Sequence, residues 1–565
     1  MSNSTDKSNQ ASAEGGGAAK SEAAASVGTT SAGATVATAP AAQSLNAPIA
    51  AADPVEPTEA VHTHVQPLPR PGWPWALALG IAIVAVAFGV YCYTVQIREG
   101  LIVTDHRNIG YGGAAWGLYI AFYVFFVGVS FAGISVAALG RLFNIEALKP
   151  LARLAELITI TALLVGASAI PIDLGRPLDG IIKLPRFANP RSPFFGTFTL
   201  VVAGYLFSSM VFFFLSGRAD AAATAKTARG PLKLVYKLWA SGYQDTPAEQ
   251  ARHHRITYIL ALTILPLLVV AHSTLGFIFG IQAGRPGWYS TLQAPSFVIM
   301  AGVSGIGMVI VVAAAIRKLC NLYDRIPDAS LQWLGNLLWV LALVYLYFMV
   351  VEELTATYAG PEADRHIAHA LTEGKFSPLF WTVVTCLFLT FLVPFTLYLR
   401  KKVSVRLLVV VGLLANVAAV LKRVLLIVPS QTDGAMLPVE PPLPLAPQWV
   451  ELGVIVGMFG AVTALILIFV RIFPIVPSAH PAPAMKPPRD NLRAVVTVTM
   501  MVVATCITAL GLADSFRLFS GQEIDPRIPY SPVIFASGVI LLFGSAAMYE
   551  LFPSRRAKVS VAEKA

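Results

Sequence analysis

His272 is the residue of this sequence best suited to chemistry inside a membrane, because it lies in the middle of a long apolar stretch. Imidazole can donate a hydrogen bond to a quinone carbonyl and pass on a proton near neutral pH, and reversible quinone reduction needs both abilities. A carbonyl of a neighbouring helix could equally satisfy a lone membrane histidine, so a structural role stays open. Haem held by two histidines is not expected, because the other eight of the nine histidines lie in the tail or the polar segments.

Asp173 and Arg176 form a second candidate pair, in the segment DLGRP that ends an apolar stretch. A carboxylate and a guanidinium at a Gly-Pro helix stop would make an outward-facing polar pocket, suited either to a quinone carbonyl or to capping a turn. Glu352 and Glu353 end a later apolar stretch in the same way. Matching acids at matching depths indicate a functional site, unless both are helix ends whose side chains reach the membrane surface.

Arg153 and Glu156 lie three residues apart and therefore on one face of a helix, where they can neutralise each other. The pair either fixes helix packing or belongs to a proton pathway, for which Glu353 is the third candidate. Lys422 lies inside a later apolar stretch, where Glu451 could serve as a counter-ion.

The elements that must position these residues are membrane helices. About twelve apolar runs are long enough to cross roughly 30 Å of hydrocarbon. They lie near residues 74–95, 115–139, 152–172, 194–215, 256–280, 294–316, 332–352, 378–399, 407–428, 449–473, 492–513 and 531–552. Runs of this length suit helices rather than the shorter strands of a membrane barrel, so the predicted fold class is an all-α polytopic membrane protein.

Composition supports the same class. Of the 565 residues 56% are hydrophobic and 13% are charged, and a soluble globule could not bury so much apolar surface. The net charge is +10, but the basic residues lie between the apolar runs, so they indicate membrane orientation rather than binding to nucleic acid. With both termini in the cytoplasm, more of the Lys and Arg fall on the inner side, which predicts this orientation in a bacterial inner membrane.

The remaining polar segments predict little chemistry. The four cysteines show no CxxC spacing, so neither an iron-sulfur cluster, nor another metal site, nor a disulfide scaffold is expected. The Ala-rich residues 1–70 are expected to be a disordered cytoplasmic tail. The inner loop 217–255 is basic and weakly amphipathic, which favours contact with anionic membrane lipids.

An internal repeat relates residues 115–280 to residues 294–428. The letters GVS occur at 128–130 and again at 302–304, and SPFFGT at 192–197 corresponds to SPLFWT at 377–382. The even number of spans in each copy predicts two similarly oriented four-helix bundles with flanking helices. Chance similarity between apolar segments is the alternative.

Several motifs in one order resemble the NrfD or polysulfide-reductase family of membrane subunits. They are WGLYI at 116–120, DLGRP at 173–177, His272 with Ser273, PGWYS at 286–290, and PQWVE at 447–451 leading to FPIVP at 473–477. The resemblance covers roughly residues 71–478 and leaves 479–565 as two additional helices and a C-terminal tail.

This resemblance implies a quinone-reactive subunit of a respiratory complex that carries neither haem nor an iron-sulfur cluster and is inactive alone. It implies electron exchange with an extrinsic ferredoxin-like iron-sulfur subunit, a catalytic subunit of the molybdopterin or cytochrome type, and ubiquinone or menaquinone as the substrate. The implied quinol site near the outer surface is lined by His272, Asp173, Arg176, Tyr119 and Tyr123, with Trp116 beside them. Arg153, Glu156 and Glu353 match a pathway for proton translocation.

The sequence departs from the family in three places. Phe131 stands where a related branch has histidine, the eleventh and twelfth spans exceed the usual eight to ten, and the Ala-rich tail is additional. A twelve-helix secondary transporter is the alternative function, since it shares the span count and a repeat in one direction. Its halves would hold six spans each, whereas the repeat here holds four.

Overall fold

The computed structural model describes residues 72–104, 116–187, 199–433, 447–473 and 531–551, with most of 496–510. All structural statements concern these residues, and the predicted tail at 1–70 lies outside them. In chain order the helices are α1 (Trp73–Glu99), α2 (Leu118–Leu142), α3 (Ala152–Asp173), α4 (Pro177–Phe187), α5 (Thr199–Ser216), α6 (Arg218–Thr227), α7 (Pro231–Ala240), α8 (Pro247–Gly280), α9 (Gln293–Leu319), α10 (Asp328–Ala359), α11 (Glu362–Thr372), α12 (Ser377–Leu399), α13 (Val405–Thr432), α14 (Trp449–Ile472), α15 (Thr499–Thr508) and α16 (Ser531–Leu551).

The described residues form helices and contain no strand, which confirms the all-α class. By length and composition, nine helices among them could cross a membrane, namely α1, α2, α3 with its preceding turn, α8, α9, α10, α12, α13 and α14. The shorter apolar helices α5, α15 and α16 fall at the three other predicted spans. The chain is therefore a polytopic membrane protein, and the count of twelve spans stays a prediction.

The long helices pack as two four-helix bundles with flanking helices. The first bundle contains α2, α3, α5 and α8, and the second contains α9, α10, α12 and α13. The bundles meet mainly where α2 packs along α9, while α1 pairs with α14 and α16 packs on α5 and α8. The duplication that would relate the two bundles stays a prediction.

Small residues allow the two bundles to approach closely. A Cβ atom built on Gly305 of α9 would lie 2.3 Å from the Cβ of Ala132 in α2, and one built on Gly128 would lie 3.4 Å from the Ser304 hydroxyl. Only glycine fits at Gly305 without displacing the facing helix. Small residues of α2 and α9 thus allow a close approach of the two helices.

Two helices extend well beyond their predicted spans. The helix α8 contains the predicted span near 256–280 but begins earlier, because Pro247 occupies its first turn and the Thr246 side chain accepts a hydrogen bond from the Glu249 amide at 3.3 Å. Similarly, α10 continues to Ala359, past the predicted end near 352. Hydropathy marks the part of a helix that crosses hydrocarbon, whereas capping determines where the helix begins.

A buried carboxylate attaches the last helix to α6 and to the first turns of α8. Glu550 of α16 lies 2.8 Å from the Arg218 guanidinium, 3.5 Å from Arg252 and 3.3 Å from Nδ1 of His253. Burial is the main cause that lowers the pKa of Arg218, and the charge of Glu550 opposes that shift. This contact gives α16, which falls at one of the two additional predicted spans, a defined place against α6 and α8.

Candidate functional site

Opposite ends of the bundles carry different polar groups. We call the end with Trp116 and Asp173 the tryptophan end and the end with Arg153 the arginine end. Since Arg153 and Asp173 stand at the two ends of α3, they are about 30 Å apart along the helix axis. The candidate residues therefore fall into separate groups.

Asp173 is the last residue of α3 and lies beside a line of hydrogen bonds that joins three helices. The Tyr119 hydroxyl of α2 donates to Oε1 of Gln96 in α1 at 2.6 Å, and Nε2 of Gln96 donates to the carbonyl oxygen of Ile172 at 2.9 Å. Tyr119 and Gln96 are buried, and Asp173 is half-buried. Gln96 was not predicted, although a lone amide in the last turn of an apolar helix could have indicated it.

Arg176 lies one turn beyond Asp173, after Gly175, whose φ of +70° ends the helical path. Its side chain is exposed, whereas the Asp173 side chain is half-buried, so the predicted pair is not buried together. Tyr123, one turn deeper in α2 than Tyr119, is buried.

Trp116 belongs to an aromatic cluster where the two bundles meet. Its ring stacks on Trp288 at 5.6 Å and meets Phe279 edge-on at 5.6 Å. Gln431 fixes the Trp116 backbone, because the Trp116 amide donates to Oε1 of Gln431 at 3.0 Å and Nε2 of Gln431 donates to the Trp116 carbonyl at 2.6 Å. The Trp288 indole donates to the Leu426 carbonyl at 2.6 Å. Trp116 is therefore held rigidly at the tryptophan end.

His272 lies deeper, between two backbone carbonyls. Nδ1 is 2.9 Å from the Leu268 oxygen in its own helix, and Nε2 is 3.0 Å from the Val127 oxygen of α2. A neutral imidazole has one N–H group and can donate to one of these oxygens, whereas an imidazolium can donate to both. Because Val127 is about 12 Å further along α2 than Tyr119, the structure does not bring His272 together with Asp173.

Aromatic and hydroxyl groups surround His272. The Phe131 ring lies 4.8 Å from the imidazole, with an angle of 77° between the ring planes. Phe131, which replaces the histidine of a related branch, therefore contacts His272. Ser130 donates to the Val127 carbonyl at 2.6 Å, and its oxygen lies 3.0 Å from the Tyr205 hydroxyl. The Tyr205 ring lies 6.0 Å from the imidazole. Tyr205 and Ser130 were not predicted, because their position near His272 depends on packing between helices distant in sequence.

A third group lies in the second bundle at the tryptophan end. Lys422 lies 3.1 Å from Oε2 of Glu352, which identifies Glu352 rather than Glu451 as its ion-pair partner. Nε2 of Gln293 donates to Oε1 of Glu352 at 3.3 Å. Among the described residues, the buried Oε2 of Glu353 has no hydrogen-bond partner. Glu352 is thus fixed by two contacts, whereas Oε2 of Glu353 has none among the described residues.

The Arg153 to Glu156 pair is present at the arginine end. The Arg153 guanidinium lies 2.8 Å from Glu156 and 2.8 Å from Asp220, and it donates to the Ser216 hydroxyl at 2.7 Å. Arg141 lies 2.9 Å from the other oxygen of Glu156. Two cations and two anions therefore balance each other in a buried network, separated by the membrane thickness from Glu353. Arg141 and Asp220 were not predicted, because neither follows from spacing within α3.

Multiple apolar helices, two bundles and buried polar groups at both ends define an integral multi-pass membrane protein. A sequence profile described as polysulphide reductase, NrfD, matches residues 108–433. The chain belongs to the NrfD family.

Named relatives come from three organisms. The chain is 33% identical to a putative dimethyl sulfoxide reductase membrane subunit of Halobacterium salinarum, over 48% of this chain and 58% of that protein. It is 23% identical to a selenate reductase subunit of Mesobacillus selenatarsenatis, over 68% of this chain and 91% of that protein. It is 24% identical to an Hdr-like menaquinol oxidoreductase integral membrane subunit of Archaeoglobus fulgidus, over 61% of this chain and 76% of that protein.

Proposed function

We propose that the chain is the quinone-binding membrane subunit of a respiratory oxidoreductase complex. Family membership and three relatives named as subunits of two reductases and of a menaquinol oxidoreductase support the class. The observation that supports a quinone site here is the pair of hydrogen bonds that runs from Tyr119 through Gln96 to the Ile172 carbonyl, next to Asp173. A secondary transporter fits less well, because the described helices form two bundles of four rather than two halves of six.

The residues of this line have the chemistry that a quinone requires. A tyrosine hydroxyl and an amide can exchange their present hydrogen bonds for one to a quinone oxygen, and a carboxylate can accept a proton from a quinol. Asp173 is the proposed proton acceptor, Tyr119 and Gln96 orient the ring, and exposed Arg176 stands at the mouth. Trp116 and Tyr123 would form the apolar wall.

His272 takes a deeper place in this proposal. Its imidazole could receive a proton after Asp173, since its Nε2 contact with Val127 and its Nδ1 contact with Leu268 suit both charge states. The Arg153 network is the proposed arginine-end member of a proton route, and Glu353 is its proposed tryptophan-end member. The proposed electron partner is an extrinsic iron-sulfur subunit joined to a catalytic subunit, in a bacterial inner membrane with both termini cytoplasmic.

The test is quinol-linked electron transfer by the complex purified in mild detergent with its copurifying subunits. Asp173→Asn should lower the rate about a hundredfold, since general base catalysis typically contributes that much or more. Tyr119→Phe should lower it less and raise KM. Matched controls are Asp179→Asn and Tyr358→Phe, whose side chains are exposed. Unchanged rates in both site variants, with the partner subunits retained, would remove the proposed site.

A further inference from the structure

An apolar cavity of about 250 Å³ lies among five helices toward the arginine end. Its walls come from α1, α2, α3, α9 and α14, and among the described residues of the lining the sole polar side chain is that of Thr463. It begins at the level of Phe126 and Phe459 and continues to Leu319 and Leu467, near the ends of α9 and α14. Apart from Thr463, no described residue of the lining has a polar side chain that could orient a ring, so the cavity suits a hydrocarbon chain.

The cavity opens sideways toward the membrane. Ala315 of α9 and Thr463 of α14 both line it and both are exposed, so the opening lies between these helices. The exposed surface around it is apolar, as expected for contact with lipid. A chain can therefore enter directly from the bilayer.

Two cations lie at the membrane surface on either side of this opening. Lys318 is one turn beyond Ala315, Arg471 is two turns beyond Thr463, and both side chains are exposed. Neither has an ion-pair partner among the described residues, unlike neighbouring Arg317, whose guanidinium lies against Asp328. Two unpaired cations at the mouth of an apolar cavity match a molecule with a hydrocarbon chain and an anionic headgroup.

The ends of three helices converge on this position. Burial raises the pKa of the Tyr236 hydroxyl of α7 and the pKa of the Cys320 thiol after α9, and the nearby charge of Arg471 opposes both shifts. Tyr236 also donates a hydrogen bond to the Ile472 carbonyl of α14. The helix α7 therefore lies beside the end of α14, where Arg471 stands.

We infer that this cavity binds one acyl chain of an anionic phospholipid, whose headgroup contacts Lys318 and Arg471. The chain leaves one hydrocarbon environment for another, so van der Waals packing rather than the hydrophobic effect holds it. Preference for the anionic lipid then comes from the two cations. This site is separate from the proposed quinone site, and the inference does not depend on it.

Native mass spectrometry of the purified complex tests the inference, with phosphatidylglycerol and phosphatidylethanolamine of identical acyl chains as probes. We expect one tightly retained phosphatidylglycerol and a preference over phosphatidylethanolamine of about fivefold or more, the size expected for one to two basic contacts. Lys318→Gln with Arg471→Gln should abolish the preference. Ala315→Trp, a change at an exposed position, should abolish retention of either lipid.

Matched controls separate the cavity from general lipid binding. Lys401→Gln with Lys402→Gln removes the same charge from another exposed segment, and Ala87→Trp adds the same bulk to the exposed face of α1. Both should retain phosphatidylglycerol as the unaltered complex does. Equal retention in Ala315→Trp, no headgroup preference in the unaltered complex, or an occupant that is a quinone without phospholipid would overturn the inference.

Discussion

The imidazole of His272 can donate to one carbonyl when neutral and to two when charged, so its protonation changes the number of hydrogen bonds that it donates to the backbone. The contact to Leu268 lies within α8, while the contact to Val127 joins two helices of the first bundle. Even without the histidine, the Val127 carbonyl would keep its hydrogen bond from Ser130. A role in proton exchange can thus be separated from a role in stability.

We expect His272→Ala to leave assembly intact and to lower quinol-linked electron transfer about a hundredfold, as for loss of a general acid or base. The stability cost should be small, about 0.6 kcal/mol for a hydrogen bond between membrane helices. Thermal unfolding and turnover of the same preparation measure the two effects. Ser273→Ala is the control. If His272→Ala unfolds at a lower temperature but keeps the normal rate of electron transfer, the role of His272 is structural.

Adjacent acids in α10 provide an internally matched pair. Glu352→Gln leaves Lys422 buried without its counter-ion and should destabilise the complex by about 3 kcal/mol or more. Glu353→Gln removes a carboxylate oxygen that lacks a hydrogen-bond partner among the described residues and should leave stability unchanged. Thermal unfolding of the two variants, side by side, measures the difference.

Proton uptake by proteoliposomes separates the proposed role of Glu353 from these stability effects. In Glu353→Gln we expect proton uptake to fall while electron transfer continues, because the proposed proton route no longer has its titratable group. Uptake equal to that of the unaltered complex would exclude Glu353 from a proton route.

Some of these residues could be predicted and others could not. The Arg153 to Glu156 contact follows from helical periodicity, because both residues share one helix face. Asp220 and Ser216 complete that network from a different part of the chain, and nothing in local spacing indicates them. The same limit explains why the sequence indicates Glu451 for Lys422 in place of Glu352.

Among the elements, the helices that cross the membrane are those the sequence predicts best. Apolar length indicates α1, α2 and α9 within a few residues, whereas the extension of α8 to Pro247 depends on a cap outside the apolar run. The short helices α4, α6 and α11 lie at the ends of the bundles, and hydropathy carries no signal for them. Their packing against longer helices is a tertiary effect.

Packing between α2 and α9 should be the most sensitive to added volume. Gly305→Ala places a methyl group 2.3 Å from the Ala132 Cβ and should cost between about 1 and 3 kcal/mol of stability. The control is Gly80→Ala in α1, where an added Cβ meets nothing within 4 Å. Thermal unfolding in detergent measures both, and equal midpoints would show that the bundles are not held in close contact at Gly305.

The whole molecule combines a family core with helices outside the matched region. The profile match ends at residue 433, yet α14 pairs with α1 and α16 is tied through Glu550 to Arg218. The fold class and the family could be predicted because apolar length and motif order are local properties. The way in which the candidate residues group together could not be predicted, because depth in the membrane and contact between helices depend on the complete fold.

The most direct test of the central claim is to locate the bound quinone with a photoreactive quinone analogue. The complex, purified with its partner subunits, is labelled with and without excess natural quinol, and the labelled peptides are sequenced. We predict labelling of the ends of α1 and α2 around Gln96 and Tyr119 that the natural quinol suppresses. Suppressible labelling confined to α10 and α13, or to a partner subunit, would contradict the proposal.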